Sequence, residues 1–573
     1  MSVPHRQMTS LHEASPATSP WWRDAVGYQV YPRSWADGDG DGTGDLAGIA
    51  ARLPHLRDLG VDAVWFSPFY RSPQHDAGYD VADYRDIDPL FGSLADADAL
   101  IAEAHELGLR IVVDLVPNHT SEEHAWFQAA LAAAPGSPER ARYIFRDGRG
   151  DDGGEPPNNW QSVFGGRAWT RVTEADGRPG QWYLHLFDSS QPDLDWQNQQ
   201  VREEFHAIIR FWLDRGVDGF RVDVAHGLVK AEGLPDYDHR ERMLAENDSS
   251  ASPYWDQDGV HEIYRGWREV LDSYAGDDRI MVAEAWVTPS ERAVLYVRGD
   301  EFHQAFNFDF LETPWDAARL REAIADSLRA NDSVGAPATW VLSNHDVVRH
   351  ASRLGLDQSR PRPNGITADD PQPDAELGLR RARAATMLML GLPGAAYLYQ
   401  GEELGLPEHT SLPAQVRQDP TFHRTDGAET GRDGCRVPMP WEKGAPAHGF
   451  NDTGETWLPQ PEVYGELAVD QQVGVPGSTL ELYRELLALR RERRLGLGGL
   501  EQVDGLGDDV IAYRSLGPDA PATLVLVNLG EQPVALPEGA RVLVSSEPLG
   551  EPAGGDPVLV PTDVAVWAEQ PAD

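Results

Sequence analysis

A regular alternation of short apolar strands and amphipathic helices, from about residue 26 to residue 400, most constrains the fold of this sequence. Segments typical of strands lie at 27–32, 62–69, 110–116, 219–226, 279–286, 305–310, 339–343 and 395–399. Such an alternation implies a parallel sheet with helices outside, either open or closed into a barrel. Eight strands are the number that a closed barrel requires, so we predict an α/β fold of the (β/α)8 TIM-barrel type.

The alternation is interrupted once and ends well before the C-terminus. Residues 119–190 show no clean period and contain four aromatic residues that look exposed, Trp160, Trp169, Trp182 and Tyr183. We predict that this segment is a subdomain inserted after strand three. After residue 496, short strands alternate with Gly and Pro turns, which predicts a small all-β domain.

These signals divide the chain of 573 residues into five segments. The first 20 residues are rich in Ser, Thr and Pro and lack an apolar core, so we expect a disordered tail and no signal peptide. We assign the barrel to residues 21–118 and 191–496, the inserted subdomain B to 119–190, and a β-sandwich domain to 497–573.

Charge and cysteine content argue against several classes of partner. A formal net charge of −44 disfavours nucleic acid or an anionic membrane as a ligand. Charged residues break the longest apolar runs well before the length of a membrane span. Cys435 is the only cysteine, which rules out an intrachain disulfide and suits a reducing compartment, so we predict a cytoplasmic protein.

Polar residues follow the apolar part of four predicted strands. Strand three ends in the run DLVPNH at 114–119, strand four in Arg221, Asp223 and His226, strand five in Glu284, and strand seven in the run NHD at 344–346. In a TIM barrel, chemistry is found at the carboxyl ends of the strands. One polar group there is usually structural, whereas four such strand ends indicate an active site.

Arg221 and Asp223 lie two residues apart on strand four, so their side chains point the same way. The pair alone allows two interpretations, a buried structural ion pair or an ionised nucleophile whose pKa the arginine keeps low. Two carboxylates about 5 Å apart support double-displacement cleavage of a glycoside, in which one attacks and the other donates and then accepts a proton. The pattern therefore agrees with a glycosidase and defines neither the sugar nor the linkage.

Five segments together resemble the α-amylase superfamily, glycoside hydrolase family 13, specifically its α-glucosidase and oligo-1,6-glucosidase branch. They are DLVPNH at 114–119, GFRVD at 219–223, VAEA at 282–285, NHD at 344–346 and the branch marker QPDLDW at 191–196. The resemblance covers roughly residues 21–573 and implies a barrel, an inserted domain and a C-terminal β-domain in that order. It also implies a retaining, exo-acting α-glucosidase that releases α-glucose from the non-reducing end of maltose, isomaltose, sucrose or small oligosaccharides.

The resemblance assigns roles residue by residue. Asp223 resembles the nucleophile, Glu284 the general acid/base, and Asp346 the carboxylate that grips ring hydroxyls and stabilises the transition state. The substrate-binding residues that it implies are Asp76, Tyr79, His119, Phe187, Gln191, Arg221, His345, Arg432 and Arg436. Among these, Asp76 and Arg432 would close the pocket beyond the terminal glucose, which makes such enzymes exo-acting.

The run DGDGDGTGD at 37–45 places carboxylates at alternate positions, an oxygen-rich array suited to Ca²⁺. Gly48 stands where an EF-hand would carry its bidentate Glu, which argues against an EF-hand. The family has a metal loop at this position, so the resemblance implies a structural Ca²⁺, with Mg²⁺ as the alternative ion, and no organic cofactor. The ligands would be the side chains of Asp37, Asp39, Asp41 and Asp45 and the carbonyl of Thr43. A Gly/Asp turn without metal is the other interpretation.

The sequence leaves the linkage and the acceptor open. In the family, Val224 directly after the nucleophile indicates α-1,6 preference, but Ala225 and His226 replace the Ile-Asn pair usual in that group. A transglycosylase or a sucrose isomerase on the same scaffold is the nearest alternative to a hydrolase. A non-catalytic amylase-like interaction protein is a remote one, because such relatives lack the catalytic carboxylates and carry a membrane span.

Overall fold

The computed structural model describes residues 8–239, 252–276, 278–518, 520–550 and 556–569. Within them, eight parallel strands close into a barrel, which confirms the predicted fold. In chain order the strands are Val26–Val30, Ala63–Phe66, Arg110–Leu115, Gly219–Val222, Ile280–Ala283, Gln304–Asn307, Thr339–Val341 and Ala395–Tyr399. We refer to them as barrel strands 1 to 8.

Helices connect the strands around the outside of the barrel. The longer ones are Leu46–Leu59, Leu94–Glu106, Gln199–Asp214, Val260–Asp272, Ala317–Val334, Ala375–Leu390 and Thr479–Arg493, and short ones lie at Ser290–Ala293, Phe308–Glu312, His350–Arg353, Pro420–Arg424, Val463–Glu466 and Val469–Gln472. Local sequence sets their ends: Ser93 and Asp96 form a capping box, and Gly60 takes a φ of 96° after the first helix. None of the described helices combines the length and the apolar character needed to cross a membrane.

Barrel strand 6 is shorter than the sequence suggests. The apolar run predicts a strand to Phe310, whereas the strand ends at Asn307 and the helix Phe308–Glu312 follows. The Asn307 side chain accepts a hydrogen bond from the Phe310 backbone N–H at 3.0 Å and so caps this helix. A capping residue therefore ends the strand inside an apolar run.

Residues 119–190 fold as an insertion between barrel strands 3 and 4. They contain the helix Ala125–Ala132 and a three-stranded sheet of Phe145–Arg146, Trp169–Thr173 and Pro179–Leu184. The prediction that Trp160, Trp169, Trp182 and Tyr183 are exposed is wrong, because all four are buried. The three tryptophans pack together with Phe164 in a separate hydrophobic core. The same core includes Val224 and Trp255 from the segment after barrel strand 4, so the insertion packs against that segment.

The residues after the barrel form the predicted all-β region. A large antiparallel sheet contains Gly499–Val503, Val510–Leu516, Thr523–Asn528, Val564–Glu569 and Arg541–Ser545 in this order, and a small second sheet pairs Val534–Ala535 with Leu559–Val560. Alternate residues of the large sheet face opposite ways. Val525 and Trp567 pack on the barrel core, whereas Leu524 and Val566 pack against Val560 of the small sheet.

The prediction of a disordered tail over residues 1–20 is wrong for part of its length. Met8–His12 forms a sixth strand of the large sheet, antiparallel to Gly499–Val503. The composition of the segment does not indicate a strand. A strand at the edge of a sheet can have one face towards water, so it needs few apolar residues. Residues 1–7 of the predicted tail lie outside the described residues.

The parallel barrel brings distant parts of the chain to one face, where the carboxyl ends of the strands meet. Asp223 and Glu284 each follow their strand by one residue, and Asp346 lies in the loop after barrel strand 7. The long connection over residues 405–478, after barrel strand 8, supplies Arg432 to the same face.

Candidate active site

A pocket of about 600 Å³ opens at the carboxyl face of the barrel. It is lined by Asp76, Tyr79, His119, Val163, Phe164, Phe187, Asp223, Val224, His226, Trp255, Glu284, Trp286, His345, Asp346 and Arg432. One cavity thus contains all three predicted catalytic carboxylates and six of the predicted substrate-binding residues.

The other three predicted substrate-binding residues, Gln191, Arg221 and Arg436, lie behind the pocket wall. Gln191 donates a hydrogen bond from Nε2 to Asp76 Oδ2 at 3.1 Å. Arg436 donates from Nη2 to Asp346 Oδ1 at 2.9 Å. In this structure these side chains hold residues of the wall in place.

Arg221 joins the carboxylates of the reaction centre. Its Nη1 lies 2.7 Å from Asp223 Oδ1 and 2.9 Å from Asp114 Oδ1, and its Nη2 lies 2.7 Å from Glu284 Oε2. The pair on strand four is therefore both a buried ion pair and part of the candidate catalytic cluster. A guanidinium that touches both Asp223 and Glu284 holds the two carboxylates side by side, as double displacement requires.

Burial dominates the protonation of this cluster. It raises the pKa of Asp223 well above its usual range and the pKa of Asp114 to about 7, and Arg221 opposes both shifts. The expectation that Arg221 keeps the pKa of Asp223 low is therefore wrong in its net direction. The physical reason is that one guanidinium is shared among three buried carboxyl groups.

Glu284 is held at both carboxylate oxygens. Its Oε2 accepts a hydrogen bond from the Val224 backbone N–H at 3.0 Å, and its Oε1 accepts one from Trp286 Nε1–H at 3.1 Å. Val224 has a φ of 45°, in the left-handed region that a β-branched residue rarely adopts. This strained residue directly follows Asp223 and directs its N–H at Glu284, and such strain is typical of functional sites.

A second cluster pairs Asp76 with Arg432, and we refer to this part of the pocket wall, where the closure is predicted, as the closed end. Arg432 Nη2 lies 2.9 Å from Asp76 Oδ1, its Nη1 lies 3.0 Å from Asp346 Oδ1, and its Nε lies 2.5 Å from Asp419 Oδ2. Asp419 also accepts the backbone N–H of Arg432 at 2.8 Å. The guanidinium is thus fixed from three sides, although Asp76 and Arg432 are 356 positions apart in the sequence.

The arginines of the closed end prevail at two of its three carboxyl groups, whereas burial raises the pKa of the third, Asp76, to about 6. Burial alone would raise the pKa of Asp346, but the guanidinium groups of Arg432 and Arg436 outweigh it and hold the pKa below its ordinary value. Burial also acts on Asp419, and the same two arginines lower the pKa of that carboxyl to about 2. These two carboxylates are therefore ionised near neutral pH.

Two neutral histidines line the pocket beside Tyr79. Burial lowers the pKa of His119 to about 4 and that of His345 well below its ordinary value. The His345 ring is parallel to the Tyr79 ring, with a centroid distance of 5.3 Å, and its Nδ1 lies 2.6 Å from Gln29 Nε2. A neutral imidazole can both donate and accept a hydrogen bond, which suits sugar hydroxyl groups.

Six residues of the wall are absent from the predicted set: Val163, Phe164, Val224, His226, Trp255 and Trp286. The first two come from the insertion and Trp255 from the loop after barrel strand 4, where no sequence period marks them. The other three lie within three residues of Asp223 or Glu284. Closeness to the predicted catalytic residues was the signal that could have found them.

The loop over residues 37–45, after barrel strand 1, forms a separate oxygen cluster. Carboxylate oxygens of Asp37, Asp39 and Asp45 all lie within 4.8 Å of one another. Asp41 is exposed and lies outside this cluster, and its Oδ1 accepts the Thr43 backbone N–H at 2.8 Å. Three carboxylates this close repel one another, and their oxygens fit a hard cation such as Ca²⁺.

Comparisons with known proteins agree with this geometry. Residues 29–497 match a family model described as "Alpha amylase, catalytic domain". A probable alpha-glucosidase of Rhizobium meliloti is 40% identical over 520 residues, which cover 87% of this chain and 87% of that protein. An oligo-1,6-glucosidase of Parageobacillus thermoglucosidasius is 36% identical over 551 residues, which cover 89% and 91%. Among solved structures, an alpha-glucosyl transfer enzyme matches with a TM-score of 0.82 at 35% identity, over 97% of this chain and 100% of that one.

A closed barrel with an insertion after strand 3 and a cluster of carboxylates at its carboxyl face defines a glycoside hydrolase. The chain belongs to the α-amylase family, glycoside hydrolase family 13, in its α-glucosidase and oligo-1,6-glucosidase branch. The predicted family, fold and enzyme class are thereby confirmed, and the non-catalytic interaction protein is excluded.

Proposed function

We propose that this protein is an exo-acting α-glucosidase that releases α-glucose from the non-reducing end of short α-glucosides. The ion pair between Asp76 and Arg432 is the observation that supports this most directly. Its charged groups would bond the hydroxyls of a terminal glucose. A pair that bonds the terminal hydroxyls in this way would leave no room for a preceding sugar.

The residues of the pocket account for a double displacement. Asp223 attacks the anomeric carbon and forms a covalent glycosyl-enzyme, while Glu284 gives its proton to the departing oxygen as the glycosidic bond breaks. Glu284 then takes a proton from water, whose oxygen attacks the anomeric carbon and releases Asp223. Asp346, held ionised by its arginines, stabilises the positive charge that develops on the ring.

The anomer released from maltose tests this mechanism. Two successive inversions retain the configuration, so proton NMR in the first minutes should show α-glucose before mutarotation produces the β-anomer. Initial release of β-glucose would contradict the covalent mechanism. Failure to cleave maltose, isomaltose and sucrose alike would contradict the proposed activity itself.

A second candidate activity is transfer of the glucosyl group to an acceptor other than water, as in a transglycosylase or a sucrose isomerase. The similarity to an alpha-glucosyl transfer enzyme over nearly the whole chain favours it. Both activities use the same glycosyl-enzyme and differ only in the group that attacks it. Product analysis separates them: free glucose indicates hydrolysis, whereas longer or rearranged sugars from maltose or sucrose indicate transfer.

We also propose that the 37–45 loop holds a structural Ca²⁺, or alternatively Mg²⁺. The clustered oxygens of Asp37, Asp39 and Asp45 support this, and the Thr43 carbonyl is a further expected ligand. The ion would supply positive charge that offsets the repulsion among the three carboxylates. No step of the reaction depends on it, because the loop contributes no residue to the lining of the pocket.

A cytoplasmic location is a further proposal. The only cysteine, Cys435, is buried and free, so the fold does not depend on an oxidising compartment. Fractionation of the source cells, with α-glucosidase activity as the readout, tests it. Activity confined to the culture medium would contradict it.

A further inference from the structure

A carboxylate buried behind the pocket wall takes no part in the mechanism above. Asp419 is 1% exposed and is not among the residues that line the pocket, yet it contacts Arg432, which does line it. We propose that Asp419 is a positioning residue, which holds the guanidinium of Arg432 in the orientation that closes the pocket around the terminal glucose. This inference rests on the proposed α-glucosidase function.

Asp419 holds Arg432 at two points. Its Oδ2 accepts the Arg432 backbone N–H at 2.8 Å and the Arg432 Nε–H at 2.5 Å. A guanidinium group is planar and rigid. A single oxygen that bonds both the backbone and Nε of one arginine therefore fixes the plane of the guanidinium relative to the chain.

The other nitrogens of this plane meet carboxylates that line the pocket. Arg432 Nη2 lies 2.9 Å from Asp76 Oδ1, and Arg432 Nη1 lies 3.0 Å from Asp346 Oδ1. Because both nitrogens belong to one rigid plane, a rotation of that plane would disturb both charge-assisted contacts. The contact between Nε and Asp419 thus decides whether Arg432 can reach the two pocket carboxylates at the same time.

Asp419 is itself held by its own segment of the chain. Its Oδ1 accepts the Thr421 backbone N–H at 2.8 Å and so caps the short helix Pro420–Arg424. Its backbone N–H donates to Asp433 Oδ2 at 3.2 Å. Gly431, with a φ of 74°, lets the chain pass close by, since a Cβ at this position would lie 2.7 Å from Asp419 Cγ. The carboxylate therefore has a fixed position from which to hold Arg432.

The helix that Asp419 caps is also anchored to the insertion. Arg424, its last residue, donates from Nε to the Gly165 carbonyl at 2.9 Å, and its Nη1 lies 3.2 Å from Asp188 Oδ2. A shift of Asp419 together with this helix would break contacts with the insertion. The anchor therefore restrains Asp419 from the side away from Arg432.

The charge of Asp419 strengthens its contact with Arg432. Burial opposes ionisation, but Arg432 and Arg436 lower the pKa of Asp419 to about 2, so the group is a carboxylate near neutral pH. A hydrogen bond between two charged groups is stronger than one between neutral groups. Loss of the charge alone should therefore weaken the hold on Arg432.

Two substitutions separate the contact with Arg432 from the cap of the helix. Asp419→Ser keeps a side-chain oxygen that can accept the Thr421 N–H but is too short to reach Arg432 Nε, whereas Asp419→Asn keeps an oxygen of the original reach without the charge. Each is made in wild type and in Arg432→Gln, and kcat/KM is measured on p-nitrophenyl α-glucoside and maltose. Asp563→Asn, which alters a buried aspartate paired with Arg381 outside the pocket, is the matched control.

In wild type, Asp419→Ser should lower kcat/KM by about tenfold or more, because a charge-assisted hydrogen bond is lost, and Asp419→Asn should lose less. In Arg432→Gln, the additional loss should be less than about twofold, because a residue that acts through Arg432 has no guanidinium left to position. The control should keep wild-type kinetics. If circular dichroism shows that Asp419→Ser does not fold, Asp419→Asn serves for the comparison between the two backgrounds.

Equal fold-losses in the two backgrounds would show that Asp419 acts independently of Arg432 and would overturn the positioning role, as would no loss in either. Wild-type enzyme that cleaves neither substrate would instead overturn the proposed function, and this inference with it.

Discussion

The two ends of the pocket differ in the number of arginines that neutralise their buried carboxylates. At the reaction centre, Asp114, Asp223 and Glu284 share a single guanidinium, that of Arg221. At the closed end, three carboxylates are matched by two arginines, and one of these, Arg432, contacts all three. The residue types and the depth of burial are alike, so the ratio of cations to carboxylates is what distinguishes the ends.

This ratio agrees with the opposite pKa shifts of Asp223 and Asp346. Burial prevails at the reaction centre and raises the pKa of Asp223, whereas the arginines prevail over burial at Asp346 and lower its pKa. Asp346 therefore stays ionised at the closed end, although burial prevails over the arginines at Asp76 and raises the pKa of that carboxyl to about 6. At the reaction centre, the raised pKa means that the nucleophile Asp223 takes up a proton more readily than an exposed aspartate does.

The largest effect is expected from Asp223→Asn. The amide cannot form the glycosyl-enzyme, so kcat should fall on the order of 10⁴-fold or more. Steady-state kinetics on p-nitrophenyl α-glucoside measures the loss, and circular dichroism should show an unchanged fold. A variant that keeps a near-normal rate would refute the assignment of the nucleophile.

Arg432→Gln tests the closed end. It leaves the carboxylates of Asp76, Asp346 and Asp419 without the guanidinium that all three contact. Loss of one partner of buried charge pairs should lower kcat/KM on maltose by about 10²-fold or more. Arg380→Gln, which removes only an i,i+4 pair with Glu376 on an outer helix, is the matched control and should be near wild type. Comparable kinetics of the two variants would contradict the role of the closure.

The pH dependence of the rate should reflect the reaction centre. Burial raises the pKa of Asp223 above the ordinary value of about 3.9. On the acid side of the pH profile, activity on α-glucosyl fluoride should therefore fall to half at a pH above about 4. At the closed end, burial raises the pKa of Asp76 to about 6, so its protonation should add to the loss below that pH, whereas Asp346, whose pKa is lowered, stays ionised. An acid limb at or below pH 4 would contradict the raised pKa of the nucleophile.

The raised pKa of Asp223 also determines how this carboxyl group affects the stability of the fold as the pH changes. Since the pKa of Asp223 is higher in the folded than in the unfolded state, its contribution to stability is complete below the unfolded pKa and is lost as the pH rises through the folded pKa. Asp223→Asn should therefore melt at a higher temperature than wild type at pH 8, with a smaller difference near pH 4.

The smallest effect is expected at the 37–45 loop, where carboxylate oxygens of Asp37, Asp39 and Asp45 lie within 4.8 Å of one another. Saturating Ca²⁺ should raise the melting temperature by about 2–5 °C over metal-free protein. Asp37→Asn should abolish this rise, and Asp41→Asn, outside the cluster, should retain most of it. Equal melting temperatures of metal-free and Ca²⁺-saturated wild type, checked by elemental analysis, would contradict a metal site.

The barrel and its reaction centre could be predicted because both follow from local patterns. All eight strands are apolar runs between amphipathic helices, and Asp223 and Glu284 stand at the ends of two of them. The closure by Asp76 and Arg432 was accessible only through the family resemblance, since no local signal connects loops 356 positions apart.

Other features depend on partners that a sequence pattern does not show. Met8–His12 is a strand only because Gly499–Val503 offers it an edge. Trp160, Trp169 and Trp182 are buried because they belong to a hydrophobic core of the insertion that their spacing in the sequence does not indicate. The net direction of the pKa shift of Asp223 depends on how many carboxylates share Arg221, and the contact with Asp114 is visible only in the folded chain.

The central claim is that a charged closure at one end of the pocket makes this enzyme act from the chain end. Hydrolysis of maltoheptaose, free or blocked at its non-reducing end, tests it most directly in one assay at equal concentrations. The account predicts that the free oligosaccharide releases α-glucose stepwise and that the blocked one gives almost no product. Efficient cleavage of the blocked substrate within the chain would show an open cleft and an endo-acting amylase.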